Sequence, residues 1–264
     1  MAALISKRLV ALVLVPAAAL LLAACITSSS KPPPPVSKKE AAQFNMQLGI
    51  SYLRQGDLQG ARAKLEKALA EDDSLATAYS ALGLVFERLG DNKGAEKNYR
   101  RAVSLAPDDP DSLNALAVFL CLQKQETTEA MRYFEKALAV PLSRSDSNKA
   151  MVYTNAGVCA KRVDVDKAES YLRSALAADP NFKPALLQLA DVSFTRANYL
   201  QSRAFLERFL AASPATPDAL WLGVRVEKAL GEASAARAYG ERLKKEFPES
   251  IETRQLLESQ RNAG

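Results

Sequence analysis

The stretch Tyr79-Ser80-Ala81-Leu82-Gly83-Leu84-Val85-Phe86, continued by Gly90, Ala95, Tyr99, Ala102 and Pro107, decides the fold. Small and large apolar residues recur in it three or four apart, the spacing of one helix face. Gly90 divides the pattern into two segments. Pro107 ends the second, because proline lacks an amide proton and its ring clashes with the preceding turn. The reading is two short helices folded back on each other, with Gly83, Ala95 and Ala102 as points of close approach and the aromatic and leucine side chains between them. The same marks recur along the chain. Pro107, Pro141, Pro180, Pro214 and Pro248 are separated by 34, 39, 34 and 34 residues, and Gly49 and Gly83, Ala61 and Ala95, and Ala68 and Ala102 are each 34 apart. One five-residue insertion accounts for the exception.

A period of 34 with this residue pattern resembles the tetratricopeptide repeat. Six copies are read, at about 42–75, 76–109, 110–144, 150–182, 183–216 and 217–249. The first offers Leu48-Gly49, Tyr52, Gly56, Ala61, Leu65 and Ala68, and the fourth Tyr153, Ala156-Gly157, Ala168, Leu172, Ala175 and Pro180. The sixth keeps Leu220, Gly231, Ala236, Leu243 and Pro248. A lone hairpin cannot cover its apolar face, so neighbours must stack. Ser250 is the N-cap of a last helix with a polar outer face, within the closing segment 250–264. The expected fold is an all-α superhelix of about six helix hairpins plus a C-terminal capping helix. Three places depart from the pattern: the turn Gln123 to Thr128 has an extra residue and no glycine, Arg162 to Asp166 is one residue short, and Pro141 to Lys149 reads as an exposed loop between two three-repeat halves.

The N-terminus reads as an address. Lys7 and Arg8 precede an apolar run, Leu9 to Leu22, that is too short for a comfortable membrane span and suits a secretory signal. It leads into Leu22-Ala23-Ala24-Cys25, which resembles the bacterial lipobox, whose cysteine is lipidated. On that reading residues 1–24 are a lipoprotein signal peptide, Cys25 carries the covalent lipid, and Ile26 at the next position directs the protein to the outer membrane, on its periplasmic face. The competing reading is an ordinary secreted chain with a chance cysteine. Residues 25–39, with Pro32 to Pro35 in the middle, form a semi-rigid tether. Cleavage leaves 33 basic against 30 acidic side chains, too small and dispersed an excess to argue for nucleic acid.

The chain contains no histidine. That excludes Ser-His-Asp and Cys-His catalysis and histidine metal sites. No phosphate loop, dinucleotide turn, nucleophile elbow or cation-binding acidic loop is present either. No catalytic residue, metal ligand or cofactor is therefore assigned beyond the lipid on Cys25. In repeat register Cys121 and Cys159 lie one layer apart near the ends of adjacent first helices; they are either a disulfide or two buried small hydrophobes. First helices line the concave face of such a stack. The candidate partner groove is Met46, Ile50, Leu53, Leu84, Arg88, Asn114 and Val118, and its apolar character suits an amphipathic or extended peptide. Ser80, Glu87, Thr154, Val158 and Lys161 continue it. The same count then gives Leu187, Asp191, Phe194, Trp221, Arg225 and Lys228.

Particular strings narrow the resemblance: Ala115-Leu116-Ala117-Val118-Phe119-Leu120-Cys121, Asn155-Ala156-Gly157-Val158-Cys159, Arg203-Ala204-Phe205-Leu206-Glu207-Arg208-Phe209-Leu210, Leu220-Trp221-Leu222-Gly223 and Phe247-Pro248-Glu249-Ser250. With the lipobox and the tether, the chain resembles the type IV pilus biogenesis and stability lipoproteins, pilotin-like outer-membrane proteins of Gram-negative bacteria. Ser143 departs from an aromatic associated with that family. The resemblance implies a protein that rides the lipoprotein sorting machinery to the outer membrane, binds the pilus secretin and promotes its localisation and multimerisation; it also implies a Cys121–Cys159 disulfide. A general repeat lipoprotein that scaffolds another envelope complex, for outer-membrane assembly or cell-wall enzymes, fits the same anchor and groove. An enzyme working through Asp, Glu or Lys alone is the remaining class.

Overall fold

Asp57 and Asp91, one period apart, show how each hairpin is set. Their carboxylates accept the amide protons of Gly60 and Gly94 at 2.9 Å and so satisfy open donors at helix starts. A Cβ on Gly60 would lie 2.2 Å from Asp57 Oδ2, so the glycine makes room for the cap. Asp109 and Asp164 cap in the same way, through the amides of Ser112 and Lys167. The computed structural model describes residues 37–141 and 146–261, without the side chains of 146–148. The signal peptide, Cys25, the prolines of the tether and Ser143 lie outside the described residues. Among the described residues there are thirteen helices and no strands. Six hairpins pair α1 (Lys38–Gln55) with α2 (Leu58–Glu71), α3 (Ala76–Arg88) with α4 (Asn92–Leu105), α5 (Pro110–Leu122) with α6 (Thr127–Ala139), α7 (Asp146–Ala160) with α8 (Val165–Ala178), α9 (Lys183–Thr195) with α10 (Tyr199–Ala212), and α11 (Pro217–Ala229) with α12 (Ala233–Glu246). A final helix, α13 (Ile251–Arg261), follows.

The turns inside the hairpins explain two of the irregularities. Gly56, Gly90 and Gly231 have φ near +80°, the left-handed conformation in which glycine carries no Cβ penalty. In the third and fifth hairpins Gln125 and Ala197 occupy that conformation, both at φ 59°. The fourth turn has no left-handed residue: Asp164 N donates to Ala160 O at 2.8 Å, four residues back, where Asp57 and Asp91 reach back five. One residue fewer therefore ends α7 in a tighter bend. The long link is shorter than its composition indicated. Helix α7 begins at Asp146, and so takes in Lys149, at the end of the stretch that reads as loop. Likewise α1 begins at Lys38, two residues inside the stretch read as tether, because the prolines that block a helix end at Pro35.

Within each hairpin a small residue of the first helix lies against a large one of the second. A Cβ on Gly83 would come within 2.8 Å of the Tyr99 ring, and one on Gly49 or Gly157 within 2.7 Å of Leu65 or Leu172. Ala61, Ala95, Ala130 and Ala168 are fully buried at the crossing, as are Ala68, Ala102 and Ala175 two turns later. The last hairpin keeps this contact one residue earlier, where a Cβ on Gly223 would come within 2.8 Å of the Tyr239 ring; Val224 then stands at the register of Gly83, and Gly240 at that of Tyr99. The space above Gly240 is filled from α13, whose Leu256 would be 3.3 Å from an added Cβ and is buried. Ser250 Oγ accepts the Thr253 amide at 3.1 Å and starts that helix. The capping helix thus supplies a side chain that the sixth hairpin lacks.

Stacking is lopsided. Each first helix touches the first helix of the next hairpin, in the series α1, α3, α5, α7, α9 and α11, which ends on α13. Among the described residues the backbones of successive second helices do not approach in this way, and long side chains bridge the gap instead, Arg100 to Glu129 at 2.9 Å and Lys167 to Glu135 at 3.4 Å. First helices are therefore crowded along the inside of the curve and second helices splayed outside, which makes a superhelix with a concave face built from α1, α3, α5, α7, α9 and α11.

Two substitutions test this account. Gly83→Ala should lower stability by about 1–3 kcal/mol in chemical denaturation, through overpacking against Tyr99. Ala197→Gly should raise it by about 1 kcal/mol, by removing a left-handed alanine. An unchanged midpoint for Gly83→Ala would mean that the hairpin can open without penalty.

Candidate functional site

The residue immediately after the small position of each first helix points along the concave face. In α1, α3, α5 and α7 it is Ile50, Leu84, Val118 and Val158, all half-buried. In α9 and α11 the same register holds Asp191 and Arg225. The groove is therefore apolar over four hairpins and charged over two. Met46 and Ile50 pack on the core beneath the first two hairpins, and Leu84 bridges that core to the next. Asn114 accepts a hydrogen bond from Asn155 Nδ2 at 3.0 Å, so that two side-chain amides join across the floor between α5 and α7. Ser80 and Ser112 hydroxyls meet at 3.3 Å one layer earlier.

Three residues read as groove lining do other work. Leu53 is only 6% exposed and belongs to the core of the first two hairpins, because the end of α1 is covered by α2 and α3. Thr154 is likewise buried, its hydroxyl bonded to Ala150 O at 2.7 Å. Arg88 reaches across a layer and donates from Nη1 to Leu53 O at 3.2 Å. Arg162, at the matching place in the fourth hairpin, donates to Cys121 O at 2.8 Å. Each arginine satisfies a carbonyl at the open C-terminal end of the preceding first helix, where positive charge is favoured.

Phe44 was missed. Its register position holds Ala78, Ser112, Val152, Ala185 and Ala219 in later layers, all buried against the preceding hairpin, whereas Phe44 is 65% exposed. The signal was available as an aromatic in a column of small residues.

Cys121 and Cys159 form a disulfide that joins α5 to α7, with Cα atoms 6.0 Å apart and both side chains buried. It spans the junction that the long link also spans, and Arg162 closes on the Cys121 carbonyl beside it. Nearby, Glu87 ties three elements: it accepts from Tyr99 Oη at 2.9 Å and from Gln123 Nε2 at 3.1 Å. Burial, reinforced by the Glu87 carboxylate, pushes the Tyr99 phenol far above its ordinary range, so it stays a donor. Further along, Arg203 grips the buried Glu227 with two hydrogen bonds, one of them at 2.8 Å, and locks the fifth hairpin to the sixth.

Of the remaining lining residues, Lys161, Leu187, Asp191, Trp221 and Arg225 converge on one cleft of about 240 Å³ between α7, α9, α11 and α13. Phe194 sits behind it under the Arg225 guanidinium, 4.2 Å from ring centroid to Cζ, while Lys228 is exposed outside this cleft. Among the described residues no three His, Cys, Asp or Glu side chains are placed to hold a metal, and no helix is long and apolar enough to cross a membrane.

The pattern of the family described as Tetratricopeptide repeat matches residues 36–76, 46–110 and 80–148. The type IV pilus assembly protein PilF of Pseudomonas aeruginosa is 28% identical over 216 residues, 81% of this chain and 84% of that protein. The crystal structure of PilW, described as a widely conserved type IV pilus biogenesis factor, superposes with a TM-score of 0.75 at 31% identity and is covered over 98% of its length, by 82% of this chain. The solved Pseudomonas aeruginosa PilF gives a TM-score of 0.73 at 27% identity, with 84% of this chain and 99% of that one covered.

The cross-link encloses a separation of 38 residues. Opening it with reductant, or replacing both cysteines with alanine, should cost about 3–4 kcal/mol in guanidinium unfolding by the chain-entropy relation. Equal midpoints with and without reductant would show that α5 and α7 hold their layer without it.

Proposed function

The chain belongs to the tetratricopeptide-repeat proteins, as a homologue of the type IV pilus biogenesis factors PilF and PilW, and from that premise we propose that it is a non-enzymatic outer-membrane lipoprotein of pilus biogenesis that binds the secretin. The observation that carries the reading is the end-to-end likeness to PilW: 98% of that chain is covered, so the likeness extends over the whole hairpin array and beyond a generic pair of repeats. The concave face supports it chemically. Ile50, Leu84, Val118 and Val158 offer an apolar strip on the first helices of four successive hairpins. An amphipathic or extended secretin segment laid on that strip gains roughly 25 cal/mol for each Å² of apolar surface covered.

In this reading the lipid on Cys25 holds the protein at the outer membrane after delivery by the sorting machinery, and Pro32 to Pro35 keep the array clear of the bilayer. The groove then collects secretin subunits where the ring must assemble. Raising their local concentration at the membrane favours multimerisation without any chemical step. The work is contact, and a chain without histidine suits it.

A deletion strain should lose surface pili and heat-resistant secretin multimers, and Cys25→Ser should release the protein from the membrane fraction and misplace the secretin. Leu84→Gln should weaken secretin co-purification with an unchanged helical circular dichroism spectrum, at a cost of about 1–3 kcal/mol in stability because the side chain also packs on two cores. Normal secretin multimers in the deletion strain, or co-purification of a different envelope assembly in place of secretin, would overturn the reading.

A further inference from the structure

The charged end of the concave face has a chemistry of its own. Its cleft, about 240 Å³, is smaller than the pockets that enclose whole small-molecule ligands, about 300–1,000 Å³, and too small for a helix. Three carboxylates border it: Asp191, Asp218 and Glu252. Asp191 is already answered by Lys161. Asp218, in the first turn of α11, and Glu252, in the first turn of α13, have no ion-pair partner among the described residues. The other bordering cation, Arg225, does not pair with them; its guanidinium lies over the Phe194 ring. Half-buried Trp221 stands in the wall of the same cleft, packed on one side against the last core cluster.

An indole wall and two unanswered carboxylates around a space of this size match one kind of guest. The ring face attracts a cation through its quadrupole, and carboxylates accept charge-assisted hydrogen bonds from it. An anionic guest would add to an existing excess of negative charge. We propose that this cleft is a second docking site, distinct from the apolar strip, which takes an arginine or lysine side chain projecting from a partner polypeptide. The proposal rests on the cleft alone and holds whether or not the partner is a secretin.

Trp221 is the single tryptophan of the chain, so its emission reports on the cleft directly. The full chain, kept in non-ionic detergent, is titrated with the end-blocked pentapeptides GRLRG and GELEG. GRLRG should give a saturable change in emission that weakens in 0.5 M salt, and GELEG none. The double variant Asp218→Asn/Glu252→Gln should bind GRLRG roughly tenfold more weakly with an unchanged helical circular dichroism spectrum. Equal responses to both peptides, undiminished binding by the double variant, or preference for GELEG, which would point to Lys161 and Arg225, each overturn the proposal. Loss of the secretin interaction with GRLRG binding intact would fall on the pilus reading alone.

Discussion

Everything in this molecule depends on how near two helices can come. At Gly83 the backbone of α3 lies against the ring of Tyr99, with no room for a single methyl group between them. Close approach lets each hairpin bury its aromatic and leucine side chains with few residues, and it leaves the outer faces free to meet the next hairpin. The same constraint recurs at Gly49 and Gly157, so the array is one interaction repeated. In the last hairpin it is displaced by one residue, to Gly223 against Tyr239, and beside it α13 brings Leu256 into the space that Gly240 leaves.

From this follows the division between a rigid outside and a readable inside. Second helices meet across layers only through long charged side chains such as Arg100 and Glu129, whereas first helices approach backbone to backbone, so the first helices carry both close stacking contacts and the exposed concave positions. A side chain on α3 or α5 can therefore belong to either role, and one turn of helix decides which. Leu84 faces the groove; Arg88, one turn on, is used to close the end of α1 through the Leu53 carbonyl. Function has been fitted to the positions that packing left over.

The hairpins were legible in the sequence because their signals are local. Gly90 and Pro107 act on the backbone within a few residues, and their recurrence at 34 measures the repeat whatever the tertiary structure does. Placement of side chains across layers was less legible. Leu53 read as groove lining because its register is right, but the end of α1 is covered. Phe44 escaped notice, since its exposure arises only because no hairpin precedes α1 among the described residues. Lys161, Asp191, Trp221 and Arg225 could each be named from register, but their convergence with Glu252 depends on the curvature of the superhelix and on where α13 folds back. The glycine at the Tyr99 register of the last hairpin was hidden for a similar reason, because the space at Gly240 is filled from sixteen positions further on, by Leu256.

The disulfide acquires a mechanical meaning in an array of this kind. Layers joined in series share any tension applied between the first hairpin and the last, and the weakest junction peels first. The longest link in the chain, after Pro141, coincides with the one junction where α5 and α7 are joined covalently through Cys121 and Cys159. Stretching the array would therefore unravel hairpins from either end and leave the middle two layers together, as a knot in a cord stops the fraying that reaches it.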